Sequence, residues 1–550
     1  MIQYLTNKVN YQLAKYSSKL PNNFSVAEKG VVVDYIIGNI KTENSNYLSI
    51  AEALNEKIDI KYTHKRLLRG IQSEDLAQKT NSFILESLVN TIADDNVFCH
   101  DKTALPSKDA KCNSQMTNVF DNSIKKSVLG HYVHGVSLFR NYNDQQLVLL
   151  HVEDKGGKSK IKDVSSIKIS DETFNSLSKY AVAEFNKYKK QVASYNKNHP
   201  DKPKKEYHEG KDVPDSSMYI SEGFENIQIL ESMINRVGTN GKHVFDSGYD
   251  NNMLLTYCHE KGIKSIIRIK KNRKVFFENS KKSEHLMSDD ISKKAFISEK
   301  IIINAKAKEE VTIPVEEYKN LIEVINNNNN ENKPISIISG NVSAMHGYVN
   351  NYFNGENKIP VTIVHFKFNE TINTIDGRTS TLRIICNGHL DEKEAKMAVI
   401  NYLKRWVIEV SFRHSKQQFG LAESRFRSIK TIRNNLALAL HSINFTYHLI
   451  KDPYVKENLR TIAPKNEKNN PVFLFYIIYK GLKTIFAKNK NFNERNNEDR
   501  YLKKPKEFYK KKKAYKKEKK ETIYLSYDRR TKNIIVQQTV DYFLENKIVS

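Results

Sequence analysis

At 550 residues, with 39% hydrophobic and 10% aromatic side chains, the chain can fill at least one large core and has room for about two to four domains. Its 89 Lys and Arg against 63 Asp and Glu leave a formal charge of +26, which favours a polyanionic partner, either nucleic acid or a membrane surface. No run of about 18 apolar residues occurs, and the start, MIQYLTNKVNYQL, lacks the apolar stretch of a signal peptide, so no membrane association is expected and nucleic acid is the expected partner. Cys99, Cys112, Cys258 and Cys386 are scattered without CxxC or zinc-ligand spacing, which argues against a disulfide framework or structural zinc and for a reducing, cytoplasmic setting.

Residues 1–92 read as a helical N-terminal, DNA-binding region. Within it, YLSIAEALNEKIDIKYTHKRLLRGI (Tyr47 to Ile71) offers Ser49 as a helix cap, then a break, then a basic helix with Lys61, His64, Lys65, Arg66 and Arg69. That spacing permits a helix-turn-helix-like DNA reader, with a plain helical bundle as the competing reading. Strand-like sequence follows. NVFCHDKTALP (Asn96 to Pro106) holds a short apolar run ending at Asp101, and GHYVHGVSLFR (Gly130 to Arg140) and QLVLLHVED (Gln146 to Asp154) alternate as strands do, with turns at 141–144 and 155–158. An antiparallel meander is expected. The GGKS at Gly156 to Ser159 lacks the earlier glycine of a phosphate-binding loop, Val152 standing in its place, and is set aside.

Residues 170–237 read as helical, interrupted at 186–210 by a polar, basic stretch expected as an exposed loop. Lys242 to Lys271 then reads as strand, helix, strand, with Asp246 at the carboxyl end of His243 to Phe245, Asp250 as the cap of a helix to Glu260, and a second strand at Ile263 to Ile269. Open α/β sheets place ligands at such strand ends, although Asp246 could also merely shape the turn. From 272 to 385 a series of β-type runs is separated by polar loops, among them the asparagine run 326–330, and is too long for a loop, so an inserted β-rich subdomain is expected. Leu390 to Gly420 reads as one long helix capped near Asp391, and the largely apolar Ile429 to Ile450 as a helix buried against the sheet. Beyond 451 the chain turns polar. Its lysine run at 503–520, interleaved with Tyr509 and Tyr515, is either solvated or in contact with phosphate. The expected divisions are 1–92, 93–271, 272–385, 386–450 and 451–550.

Placed on a helix at about 100° per residue, Tyr402, Arg405, Glu409 and Lys416 fall at roughly 0°, 300°, 340° and 320°, one stripe about 60° wide. Val407, Ile408, Val410 and Phe412 point elsewhere and are expected to anchor the helix in the core together with Trp406, the chain's one tryptophan. A solvated charged face is the plain reading of such a stripe. Its single carboxylate, however, completes a set. Asp101, Asp246 and Glu409 give three acids in the order D, D, E, and phosphodiester chemistry uses such a set because two divalent cations about 4 Å apart are bridged by carboxylates. Hard oxygen ligands select Mg²⁺ or Mn²⁺. Asp94, Asp95 and Asp154 compete with Asp101 as the first acid; the apolar Val97 and Phe98 favour Asp101 by placing it at a strand end. His100 beside it is either a ligand or a satisfied structural histidine.

The surroundings of these acids carry a resemblance. Tyr402, Arg405, Glu409 and Lys416, separated by two, three and six residues, resemble the YREK signature of DDE-type insertion-sequence transposases of the insertion-sequence-four-like group. DSGY at Asp246 to Tyr249, followed by a helix and SIIRIKK, is similar to the second-acid region of that group, and HDKTALP at His100 to Pro106 with GHYVHGVSLF downstream to its first-acid region. The resemblance spans about residues 95–450. It implies an α/β fold, an RNase H-like catalytic core with a β-rich insertion between the second and third acids, beside the helical N-terminal domain. It further implies metal-dependent cleavage of double-stranded DNA at transposon terminal inverted repeats and strand transfer into target DNA. Asp101, Asp246 and Glu409 would be catalytic and hold two Mg²⁺ ions, with Mn²⁺ as a substitute, while Tyr402, Arg405 and Lys416 would grip phosphate. A homodimer in a synaptic complex, a nucleoid-associated location and, commonly, a hairpin at the cut end go with it. Two other readings stand beside it: a catalytically silent or repurposed DNA-binding protein, and a basic helix-turn-helix regulator.

Overall fold

The computed structural model describes residues 2–106, 116–121, 125–141, 144–152, 161–163, 171–201, 217–219, 222–270, 273–277, 284–285, 291, 293–304, 309–310, 337–353, 357–374, 377–417, 419–420, 428–463, 474–488, 526–528 and 533–535. The GGKS stretch, Asp154, the turn at 155–158, the asparagine run and the lysine run at 503–520 lie outside them.

Five helices open the chain: α1 (Ile2–Ser18), α2 (Val26–Thr42), α3 (Tyr47–Leu54), α4 (Ile60–Ile71) and α5 (Leu76–Glu86). Asn46, not Ser49, caps α3, its side chain accepting from Leu48 N and Ser49 N, because an N-cap must precede the first helical residue. The strands are β1 (Val97–Pro106), β2 (Thr117–Asp121), β3 (Lys126–Asn141) and β4 (Asp144–Val152). Next come α6 (Asp171–Asn198), α7 (Glu222–Val237), β5 (Lys242–Phe245), α8 (Asn252–Glu260) and β6 (Lys264–Arg268). Helix α6 continues to Asn198 through much of the stretch expected as a loop; its Lys and Asn residues are tolerated on a helix whose outer face is solvated. Asn251 rather than Asp250 caps α8, accepting from Leu254 N, and Asp250 instead accepts from Lys270 N and pairs with Arg273 at 3.0 Å.

The sheet continues through β7 (Ile297–Asn304), β8 (Ile337–Asn350), β9 (Lys358–Thr374) and β10 (Gly377–Asn387), and the chain ends in α9 (Glu392–Leu403), α10 (Trp406–Gln417), α11 (Ile429–Ile450), α12 (Pro453–Ile462) and α13 (Leu474–Lys488), followed by a two-stranded hairpin. One eleven-stranded mixed sheet runs from the short strand Glu309–Glu310 through β7, β8, β9, β10, β6, β5, β1 and β3 to β2, with β4 also on β3. Among the described strands, only β1–β5 and β5–β6 pair in parallel. The described strands β7 to β10 of the stretch 272–385 extend this sheet, β10 pairing antiparallel with β6 through Ile384 to Cys386, while Lys274–Val275 and Glu284–His285 pair as a separate two-stranded sheet.

Helix α11 is buried along most of its length, and its polar residues are met by side chains of the first helices. Tyr16 Oη lies 3.0 Å from His441 Nδ1, Thr80 Oγ1 lies 3.1 Å from His441 Nε2, and the Tyr35 and Tyr47 hydroxyls donate to Asn435 Oδ1. Buried polar groups need such partners. On its other side Asn444 donates to Leu147 O of β4, which fixes the helical body to the sheet. The polar tail expected beyond 451 contains two further helices; Ile477, Ile478, Tyr479, Leu482, Ile485 and Phe486 of α13 are buried.

Candidate active site

The parallel pairing of β1 with β5 runs only from Val97↔Lys242 to His100↔Phe245. Asp101 and Asp246 are therefore the first residues beyond it on neighbouring strands. Asp101 is not at a strand end as expected, since β1 continues to Pro106 against β3; it stands where β5 leaves the sheet. Asp246 closes β5 and precedes a tight turn at Ser247–Tyr249.

The third acid arrives on a broken helix. The expected single helix over 390–420 is two, because residues 402–408 turn tightly: Arg405 N bonds Tyr402 O, Val407 N bonds Lys404 O, and Ile408 N bonds Arg405 O. The Lys404 carbonyl also accepts from Cys99 Sγ at 3.4 Å, which draws the break onto β1. Helix α10 can then lie close to β3. A Cβ on Gly135, the partner of Asp101 across the strands, would meet the Phe412 ring at 2.5 Å, so glycine is required for this approach. Ser137 Oγ donates to Ser411 Oγ at 3.2 Å and Ile408 and Phe412 are buried, whereas Trp406 is 43% exposed and does not anchor the core. The break turns it outward.

Arg405 is the centre of the site. Its Nη1 donates to Asp101 Oδ2 at 2.8 Å and its Nη2 to Glu409 Oε1 at 2.5 Å. Tyr402 Oη donates to Asp246 Oδ1 at 3.4 Å, the Tyr402 ring lies 5.7 Å from the Arg405 guanidinium, and Arg268 Nη1 of β6 stands 3.9 Å from Asp246 Oδ1. Asp101, Asp246 and Glu409 are thus linked through Tyr402 and Arg405. Lys416 is half-buried on α10, about 10 Å beyond Glu409 by helical rise. Sequence reasoning missed Arg268 and Gly135; for Gly135 the available signal was a glycine inside a strand pattern.

Burial raises the Asp101 carboxyl to about 6, against the pull of Arg405 and with the help of the nearby Asp246 and Glu409 charges. Burial also works against the Arg405 charge, but Tyr402 and the three acids outweigh it and hold the guanidinium more firmly protonated than usual. The Tyr402 hydroxyl is pushed up, first by burial.

This donor set of hard, mutually repelling carboxylate oxygens has the chemistry of a divalent-cation site. As the side chains lie, no three His, Cys, Asp or Glu among the described residues could hold one ion, and at this site Arg405 stands between Asp101 and Glu409. Residues 221–445 match the family model of the transposase DDE domain. The match supports a DDE transposase, an enzyme acting on DNA in a family that uses divalent metals. It spans Asp246, Tyr402, Arg405, Glu409 and Lys416 and begins after Asp101, which the geometry alone brings to Arg405. No curated protein matches the chain. Among the described residues no helix is long and apolar enough to cross a membrane.

Proposed function

We propose that the chain is a DDE transposase of the YREK insertion-sequence group that cuts double-stranded DNA at the terminal inverted repeats of its element and joins the ends to target DNA. The observation that carries the reading is the convergence of three acids from distant parts of the chain on Arg405 and Tyr402. The strand order β4-β3-β1-β5-β6, an antiparallel meander continued by two parallel strands, supports an RNase H-like core.

Asp101, Asp246 and Glu409 hold the cations in this reading. Two Mg²⁺ ions, replaceable by Mn²⁺, supply there an activated attacking oxygen and stabilisation of the leaving one. Arg405 and Lys416 neutralise the phosphate at the cut end, the guanidinium bidentately and the ammonium as a compact charge, while the Tyr402 hydroxyl orients Asp246 and the phosphate. The exposed Trp406 indole offers a base a stacking face. Two DNA ends held for joining require two copies of the chain, a homodimer, working in the cytoplasm at the nucleoid.

The closure of Asp101 and Glu409 by Arg405 favours one other reading, a silent DNA-binding protein in which the guanidinium permanently stands where a cation would. Incubating the purified protein with a duplex bearing its own terminal repeats separates the two. The transposase nicks that duplex only when Mg²⁺ or Mn²⁺ is added; binding without metal-dependent nicking would leave the silent reading standing.

A further inference from the structure

Behind the carboxylates lies a row of polar groups that the proposed chemistry does not use. His243 Nδ1 is 3.0 Å from His100 Nε2, His100 Nδ1 is 3.4 Å from His134 Nε2, and His134 Nδ1 is 3.3 Å from the Tyr249 hydroxyl. All four side chains are buried. They belong in turn to β5, β1, β3 and the turn that follows Asp246, so the row crosses both acid-bearing strands and ends three residues past the second acid. His100 directly precedes Asp101, and neighbouring strand residues point to opposite faces. The row therefore runs under the sheet while Asp101 faces α10 above it. Phe245 stacks on His100 at 4.4 Å and Phe98 on His243 at 4.9 Å, which holds the imidazole planes.

We propose that His243, His100, His134 and Tyr249 form a positioning chain that sets Asp101 and Asp246 at the separation a shared cation needs. The proposal rests on the cation-holding role given to those acids above. Leucine or phenylalanine could fill the same space without asking for partners, but apolar contacts tolerate sliding, whereas a continuous chain of hydrogen bonds accepts one relative setting of its strands. Neutral imidazoles suit the task. Burial holds His100 and His134 well below the usual histidine range and His243 at about 3. A neutral ring donates at one nitrogen and accepts at the other; His100 and His134 are each met at both nitrogens, so the tautomer of one dictates the next, and His243, partnered at Nδ1, ends the row. Groups that orient metal ligands from behind typically change metal affinity or activity about 10–100-fold when removed.

The test is an electron-paramagnetic-resonance titration of the full-length protein with Mn²⁺ alone, in wild type, Tyr249→Phe, His134→Gln and Glu409→Gln. Tyr180→Phe is the control, because it deletes another buried tyrosine hydroxyl, one bonded to Glu260 at 2.7 Å away from the acids. Tyr249→Phe and His134→Gln should each weaken Mn²⁺ binding about tenfold, and together no more than the stronger of the two, as members of one chain do. Tyr180→Phe should lower the melting temperature and leave Mn²⁺ binding at the wild-type level. If Tyr249→Phe matches Tyr180→Phe, losing stability alone, the positioning role is overturned; should His134→Gln fail to fold, the Tyr249→Phe comparison decides alone. If wild type and Glu409→Gln bind Mn²⁺ equally poorly, the cation site itself is refuted, an outcome distinct from the loss of its positioning chain.

Discussion

Among the described residues two arginines each bridge two carboxylates, and they stand in different regions. Arg66 of α4 holds Asp34 of α2 at 2.9 Å and Glu56 of the α3–α4 connection at 2.8 Å, three residues close in sequence. Both acids are sealed, with side chains 3% exposed, and Glu56 also accepts from Thr63 Oγ1. Arg405 holds Asp101 and Glu409, separated by some three hundred residues of chain, and a third acid, Asp246, is close by with its side chain 29% exposed. Each cluster holds one more acid than arginine, Arg268 standing beside Asp246 in the second; the first is sealed, whereas the second leaves part of its charge open. A buried ion pair alone therefore says little about function. Partly open acids, with one carboxyl raised to about 6, set the proposed site apart from a strut.

The sharpest way to break this comparison is to neutralise one acid in the second cluster. Glu409→Gln keeps the shape and removes the charge, and metal-dependent cleavage of a terminal-repeat duplex should fall by about three orders of magnitude, the scale of losing one electrostatic partner of a reacting centre, while duplex binding persists. Cleavage at the wild-type rate would reduce the Arg405 cluster to a second strut. The opposite outcome is expected at the first cluster. Arg66→Ala strands two sealed acids and should cost about 3 kcal/mol of stability, read as a lower denaturation midpoint, without altering the metal requirement of cleavage.

How far the sequence foretold this contrast differs from element to element. The spacing of Tyr402, Arg405 and Glu409 was legible because side-chain direction on a helix follows from periodicity, and Arg405 and Glu409 do meet at i, i+4. The break between Leu403 and Trp406 was not, since no glycine or proline marks it; Cys99 and Asp101, far away in sequence, pull on Lys404 and Arg405, and tertiary contacts override helix propensity. The same break exposes Trp406, which the helical wheel had assigned to the core. Alternating runs located β1, β3, β4 and the strands from β7 to β10, but local pattern carries no information on pairing, so the merging of β7 to β10 into the central sheet could not be read. Arg66 looked like a DNA reader for a similar reason: a basic helix is visible in the sequence, but Asp34 and Glu56 lying across it are not.

A smaller effect sharpens the contrast through pH. Because folding raises Asp101 above its ordinary value, the folded chain binds this proton more tightly than the unfolded one. Its contribution to stability is therefore least favourable above about pH 6 and improves as pH falls through 6 towards 4, the reverse of a carboxylate whose salt bridge outweighs its burial. In the proposed reaction cleavage needs the carboxylate and should decline about tenfold per unit below that value. Melting curves of metal-free wild type and Asp101→Asn between about pH 7.5 and 5 should converge on acidification while the wild-type cleavage rate drops. Curves that stay parallel would place the titration elsewhere.

The smallest expected change concerns phosphate contact. Lys416→Ala should weaken binding to any duplex and reduce the slope of log affinity against log salt by about one, since each phosphate neutralised releases close to one counterion. In the first region Arg66 is committed to acids, and the exposed cations of α4 are Lys61, Lys65 and Arg69. Lys65→Ala is thus the matched measurement. If α4 reads DNA, the Lys65 change lowers the slope as Lys416→Ala does. If α4 is only part of a bundle, the slope moves with Lys416 alone, and phosphate recognition belongs to the helix of the acids. A slope unchanged by Lys416→Ala would take that residue off the phosphate backbone and leave Arg405, which is held by Asp101 and Glu409, as the remaining cation of the signature.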